Sequence, residues 1–142
     1  MTAQATELIF GRRESEWDEL VTACLGFLVE RARAGLTNYT DLNRELVRRT
    51  GLAPFDFSQA AGRAALGHLL GLVADRTFEE NRLLISALVI YLHGDRPADG
   101  FFGLAADRGL ISKTATALER ETFWVKHVAD VQERYAQGVT TP

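Results

Sequence analysis

The feature that most constrains this fold is the apolar run Leu83–Leu92, with the sequence LLISALVIYL, in a chain whose other patterns are helical. Only Ser86 interrupts the run, and its second half contains the β-branched pair Val89 and Ile90, which favour strands. An apolar run without alternation predicts a strand buried on both faces, and we expect about one helical turn before it. Since a single strand is not stable alone, the run also predicts a partner strand or hairpin and helices on both faces.

Three helical patterns precede the run. A long amphipathic pattern ends before Gly35, and a shorter one ends before Gly51, where a glycine can adopt the left-handed conformation that closes a helix. Asp56 and Gln59 resemble a capping box and predict a third helix that ends at about Ala74. The second and third helices with their short connection have the pattern of a helix-turn-helix.

Two more helices are predicted after the run. Thr77 and Glu80 form another capping-box pattern, which favours helix into the start of the run. A polar turn follows the run, a short helix begins near Phe101, and a last helix begins at the capping box of Thr116 and Glu119. The sequence thus predicts an α+β, mainly helical fold: about five helices with one buried strand or hairpin, in a winged-helix-like arrangement.

Length and composition predict one domain over residues 1–142, with less order in the lead-in, 1–14, and the tail, 138–142. The only cysteine, Cys24, lies in the apolar pattern of the first helix and is expected to be a buried small hydrophobe. No secretory signal is recognisable, and the longest apolar run is about half of what a membrane-spanning helix needs. We therefore expect a protein of the bacterial cytoplasm with no membrane partner. The high ratio of Arg to Lys is consistent with GC-rich codons, so it does not by itself indicate phosphate recognition.

The third predicted helix has an unusual face of small residues, Ala60, Ala64, Gly67 and Gly71. Each glycine inside a helix costs about 1 kcal/mol relative to alanine, so something must come close to this face. Contact with another helix of the same domain is the simplest explanation. The alternatives are a partner protein, a nucleic acid or a small ligand.

Arginines and one glutamine around the possible helix-turn-helix are the candidates for DNA binding. They are Arg44, Arg48, Arg49, Gln59 and Arg63, and Arg96 would lie on the wing. The net charge of −3 counts against this function, because non-specific DNA binding depends on neutralising many phosphates. Residues 36–76, with five Arg against four acids, are the only third of the chain that is not acidic.

Residues 39–72 resemble the winged-helix part of alkyltransferase-like proteins. The resemblance rests on Tyr39, a helix ending in Thr50-Gly51, and a small-residue helix that contains Leu-Gly. It implies a winged-helix fold for this segment. The reactive Pro-Cys-His segment of that family is absent from this chain, so the resemblance carries no function over.

Catalytic candidates are weak. His93, Asp95 and Asp99 cluster in the loop after the apolar run, where a hydrolase could hold a general base, but their spacing matches no metal signature. A solvated turn is the simpler explanation of the same residues, because any exposed turn contains polar side chains. His68 and His127 lie on separate helices, and neither is predicted to join this loop.

The sequence therefore predicts a non-enzymatic binding or interaction module with an accessory or regulatory role and no cofactor or metal. An unknown protein partner is expected to bind the small-residue face, and assembly with a second copy of the chain stays open. The alternatives are a winged-helix DNA-binding protein and a small hydrolase that uses the loop from His93 to Asp99.

Overall fold

The computed structural model describes residues 8–137 except Leu92, His93 and Asp95. The described helices are α1 (Glu14–Ala34), α2 (Tyr39–Thr50), α3 (Ala60–Asn81), α4 (Asp99–Asp107) and α5 (Ala117–Gln137), and the strands are β1 (Thr37–Asn38) and β2 (Val89–Ile90). The mainly helical α+β class is thereby confirmed. None of the described helices is long and apolar enough to cross a membrane.

Local signals set several helix boundaries. Gly51 ends α2 with φ of 74°, as predicted. The capping box of α5 is also confirmed, because Thr116 Oγ1 accepts the Glu119 N–H at 3.1 Å and the Glu119 carboxylate accepts the Thr116 N–H at 2.8 Å. Asn38 caps α2, because its side chain accepts the Asp41 N–H at 2.8 Å.

The apolar run does not form the long strand that its composition predicts. Leu83 and Leu84 are irregular, a 3-10 helix covers Ile85–Leu88, and β2 comprises only two residues. Burial is nevertheless complete from Leu84 to Leu88 except for slight exposure of Ser86. The predicted burial is therefore found from Leu84 to Val89, whereas Leu83 and Ile90 are half-buried and Tyr91 is 48% exposed. About one helical turn precedes the strand, as expected, but the strand is shorter than predicted.

Side chains from two helices replace the sheet partners that such a strand would need. The backbone N–H of Leu84 donates to His127 Nε2 at 2.8 Å, and the carbonyl of Ala87 accepts the indole N–H of Trp124 at 2.9 Å. The N–H of Ile85 donates to Thr77 Oγ1 at 3.2 Å. Buried backbone groups need partners but not necessarily β-ladder partners, so the run stays buried in 3-10 form.

The winged-helix arrangement is not confirmed. β2 pairs in parallel with β1, in the register Thr37 to Val89 and Asn38 to Ile90, whereas a wing requires antiparallel strands joined by a hairpin. No such hairpin occurs in residues 8–91 or 96–137. The small sheet instead joins the start of α2 to the end of the apolar run.

The third helix is longer than predicted, so Thr77 is not the helix cap that the sequence pattern predicts. Helix α3 continues past Ala74 to Asn81, so Thr77 lies inside it rather than at the start of a new element. Its hydroxyl lies 2.7 Å from the carbonyl oxygen of Leu83 and accepts from Ile85. Thr77 therefore ties the last turn of α3 to the apolar run.

The main core forms where α1 packs against α2, α3, α5 and the 3-10 helix. Cys24 and Leu28 of α1 are fully buried there, as the helical pattern predicts for Cys24. A second apolar cluster joins the 3-10 region to α4 and α5 through Phe101, Phe102 and Trp124. This cluster holds α4 across from α3.

Candidate functional site

The small-residue face of α3 does not pack against another helix. Ala60, Ala64 and Gly67 are exposed and Gly71 is half-buried. A Cβ atom added at Gly67 or Gly71 would meet no atom within 4 Å. Internal helix packing, the simplest sequence-based explanation, is therefore wrong at these two glycines.

Gly62, another glycine of α3, has no room for a side chain. A Cβ atom at Gly62 would lie 1.9 Å from the carbonyl oxygen of Asp56, so the chain before α3 can approach the helix only where the side chain is absent. Gly62 is thus the glycine of α3 that internal packing requires. The sequence pattern alone does not distinguish it from Gly67 and Gly71.

Gly67 and Gly71 line a groove of about 410 Å³. One wall is α3, and the others come from the start of α2, from Tyr91 and from α4. Its apolar surface includes Leu66, Leu70 and Phe101, whereas Ala60 and Ala64 lie outside it. Only half of the predicted small-residue face therefore belongs to the groove.

Four of the residues that line the groove carry hydroxyl groups, and two of them, Ser86 and Tyr39, bear on ligand binding. The Oγ of Ser86 is buried and has no hydrogen-bond partner among the described residues, and Ser86 is only 4% exposed. The hydroxyl oxygen of Tyr39 accepts the backbone N–H of Ala98 at 3.3 Å, and burial raises the pKa of Tyr39. The sequence pattern predicted no binding role for Ser86, although this residue is the one polar interruption of the apolar run.

Arg63 supplies the only charge among the residues that line the groove. Its guanidinium donates to the carbonyl oxygen of Phe57, another lining residue, at 2.8 Å. No ion pair to Arg63 is formed within the described part of the chain. The groove is therefore apolar with a single cation.

The other arginines predicted for DNA binding are paired with carboxylates. Arg44 lies 3.0 Å from Asp41, Arg48 pairs with Glu45, and Arg49 contacts Glu45 and Glu30, each at 2.7 Å. Hydrogen bonds from Arg48 and Arg49 lower the pKa of Glu45 to about 2, so this carboxylate stays ionised.

The remaining predicted DNA contacts do not extend this group into one surface. Gln59 immediately precedes α3 without capping it through its side chain, and Arg63 faces the groove. Arg96 is exposed in the loop before α4. The structure therefore does not bring the predicted arginines together as an unpaired basic patch.

The predicted catalytic loop can be placed only in part. His93 and Asp95 lie outside the described residues, and Asp99 is exposed in the first turn of α4. His127 is buried, and desolvation lowers its pKa. His68 packs edge-on against Trp17, with ring centroids 4.8 Å apart. Across residues 8–91 and 96–137, no three His, Cys, Asp or Glu side chains are grouped as metal ligands would be.

Comparisons with protein-family models, with curated proteins and with solved structures gave no match to this chain, so the groove is interpreted from its own geometry.

Proposed function

We propose that this protein is a non-enzymatic binding module that holds a small ligand in the groove beside α3. The observation that carries the proposal is the open space at Gly67 and Gly71, where an added Cβ atom would meet nothing within 4 Å. Each glycine weakens the helix by about 1 kcal/mol relative to alanine, and no internal contact offsets this loss. A binding site explains why both positions are glycine, because a larger side chain at either position would occupy the groove.

The size of the groove favours a small ligand over the protein partner that the sequence suggested. Its volume of about 410 Å³ is within the range of roughly 300–1,000 Å³ that ligand pockets occupy. Ligand pockets are mostly apolar with a few placed polar groups, and Ser86, Tyr39 and Arg63 provide such groups here. A stable protein interface would instead bury a broad surface of about 800 Å² on each partner.

The lining chemistry supports binding without catalysis. The groove-lining residues of the described chain include no His, Cys, Asp or Glu, which are the usual general bases and nucleophiles. Ser86 has no hydrogen-bond partner in the described part of the chain that could act as its base. DNA binding has less support than ligand binding, because Arg44, Arg48 and Arg49 are already paired with acids.

Titration with N-phenyl-1-naphthylamine, an uncharged probe that fluoresces in apolar surroundings, tests the proposal. The wild-type protein should bind the probe saturably, and Gly67→Leu should abolish binding because the new side chain fills the groove. Gly103→Leu is the matched control, since Gly103 is an exposed helical glycine whose added Cβ atom would also meet nothing, but it does not line the groove. Circular dichroism should show both variants folded. No binding by the wild type, or equal loss in both folded variants, would contradict the proposal.

A further inference from the structure

The charges around the groove restrict the ligand that it can hold. Among the described residues, Arg63 is the only charged one that lines the groove, and no described Asp or Glu side chain lines it to balance this charge. Of the five N–H groups of a guanidinium, one donates to Phe57, and no carboxylate among the described residues pairs with the group. A cation next to an apolar surface attracts a molecule that carries an anionic group on an apolar body.

The start of α2 adds to the same preference. Tyr39 and Thr40, the first two residues of this helix, line the groove. The N-terminal end of a helix carries partial positive charge and favours anions. The nearby acid Asp41 does not line the groove and pairs with Arg44.

Ser86 is an independent indication of a ligand. Its hydroxyl group is buried in the groove wall without a partner among the described residues. Buried polar atoms are nearly always paired in folded proteins, so an unpaired one needs an explanation. An oxygen of a ligand bound in the groove would supply the hydrogen-bond partner that the Ser86 hydroxyl group lacks among the described residues.

From these features we infer that the ligand is a small amphipathic anion, with a carboxylate-like head bound by Arg63 and an apolar body lying over Gly67 and Gly71. The inference rests on the proposed binding function. A volume of about 410 Å³ lies within the range of roughly 300–1,000 Å³ that small-ligand pockets occupy. A medium-chain carboxylic acid fits this description.

Decanoate and decan-1-ol are suitable probes, because they share the same apolar chain and differ in head-group charge. Dissociation constants can be measured by titrating the amide signals of the folded protein in NMR spectra. We expect the wild type to bind decanoate about tenfold more tightly than decan-1-ol, the size of effect that a charged hydrogen bond gives. Arg63→Gln should remove this preference by weakening decanoate binding, while decan-1-ol affinity stays unchanged.

Arg76→Gln is the matched control, because Arg76 is an exposed arginine of the same helix that does not line the groove. It changes the net charge equally and should keep the preference for decanoate. Equal affinity of the wild type for both probes, or loss of the preference in both arginine variants, would overturn the inference. If N-phenyl-1-naphthylamine binds at Gly67 but decanoate does not, the anionic ligand is wrong and the binding groove stands. If neither binds, the proposed function itself fails.

Discussion

The imidazole Nε2 of His127 accepts a hydrogen bond from the backbone N–H of Leu84 at 2.8 Å. This contact joins α5 to the apolar run, and it requires the neutral ring with its proton on Nδ1. Desolvation lowers the pKa of His127, with Asp130 raising it and Lys126 lowering it to smaller extents. Protonation therefore opposes both the burial and the hydrogen bond.

We expect the free energy of unfolding to fall as the pH drops below about 6.5, the ordinary pKa of histidine. In that range the unfolded chain takes up a proton at His127 that the folded chain refuses, so the contribution of His127 is lost as the pH falls towards the folded pKa. The slope is at most about 1.4 kcal/mol per pH unit for one proton. Urea unfolding at pH 7.5 and pH 5.5 measures the effect. His127→Gln, whose amide oxygen can still accept from Leu84, should show a much weaker pH dependence, and an unchanged dependence would refute the assignment.

Thr77 makes a second connection to the apolar run, and we expect Thr77→Val to destabilise the fold. The substitution keeps the shape of the side chain but leaves the Leu83 carbonyl and the Ile85 N–H without their partner. Each unsatisfied buried group costs about 1–3 kcal/mol. Urea unfolding should show a larger loss for Thr77→Val than for Thr77→Ser, which keeps the hydroxyl group and loses only a methyl group. Equal stability of the two variants would show that these hydrogen bonds contribute little.

The contacts of the apolar run show what the sequence alone does not predict about this fold. Helix patterns and local caps, such as those at Gly51 and Thr116, depend on neighbouring residues and were predicted correctly. The conformation of the apolar run depends on His127 and Trp124, which are about 40 residues away in the chain. Local periodicity does not contain such contacts, so the run was predicted as a strand.

The candidate site, like the fold, was predicted only in part from the sequence. Gly67 and Gly71 were recognised from their spacing, because glycine inside a helix is costly wherever the helix lies. The other residues of the groove were not predicted. They belong to α2, Tyr91 and α4, and only the tertiary structure brings these parts of the chain close to α3. The ion pair of Arg49 with Glu30 of α1 is tertiary for the same reason. Glu45, in contrast, pairs with Arg48 and Arg49 at i,i+3 and i,i+4 spacing within α2, which the sequence itself contains.

The contrast between Gly62 and Gly67 predicts opposite effects of the same substitution. Gly62→Ala should lower the free energy of unfolding by about 2 kcal/mol or more, because its Cβ atom would overlap the Asp56 carbonyl and force the backbone to shift. Gly67→Ala should raise it by up to about 1 kcal/mol, since the added methyl group meets nothing and alanine favours helix. Urea unfolding of both variants measures the difference. Similar values for the two would contradict the close approach at Gly62.

Ser86→Ala should also raise the free energy of unfolding of the ligand-free protein, by about 1 kcal/mol, because it removes a buried hydroxyl group that has no partner. Ser58→Ala provides the control, since the Ser58 hydroxyl group is exposed and donates to Asp56 at 2.6 Å. Its replacement should give no gain in stability. Urea unfolding of the two variants without ligand measures both effects.

The same Ser86→Ala substitution should weaken decanoate binding about threefold, since a neutral hydrogen bond to the ligand would be lost. The changes in the free energy of unfolding and in decanoate affinity together distinguish a hydroxyl group that binds a ligand from one that only packs in the protein interior. A packing role predicts lower stability and unchanged affinity, whereas a binding role predicts a gain in stability at the expense of affinity. A destabilised Ser86→Ala protein that binds decanoate normally would exclude Ser86 from the site.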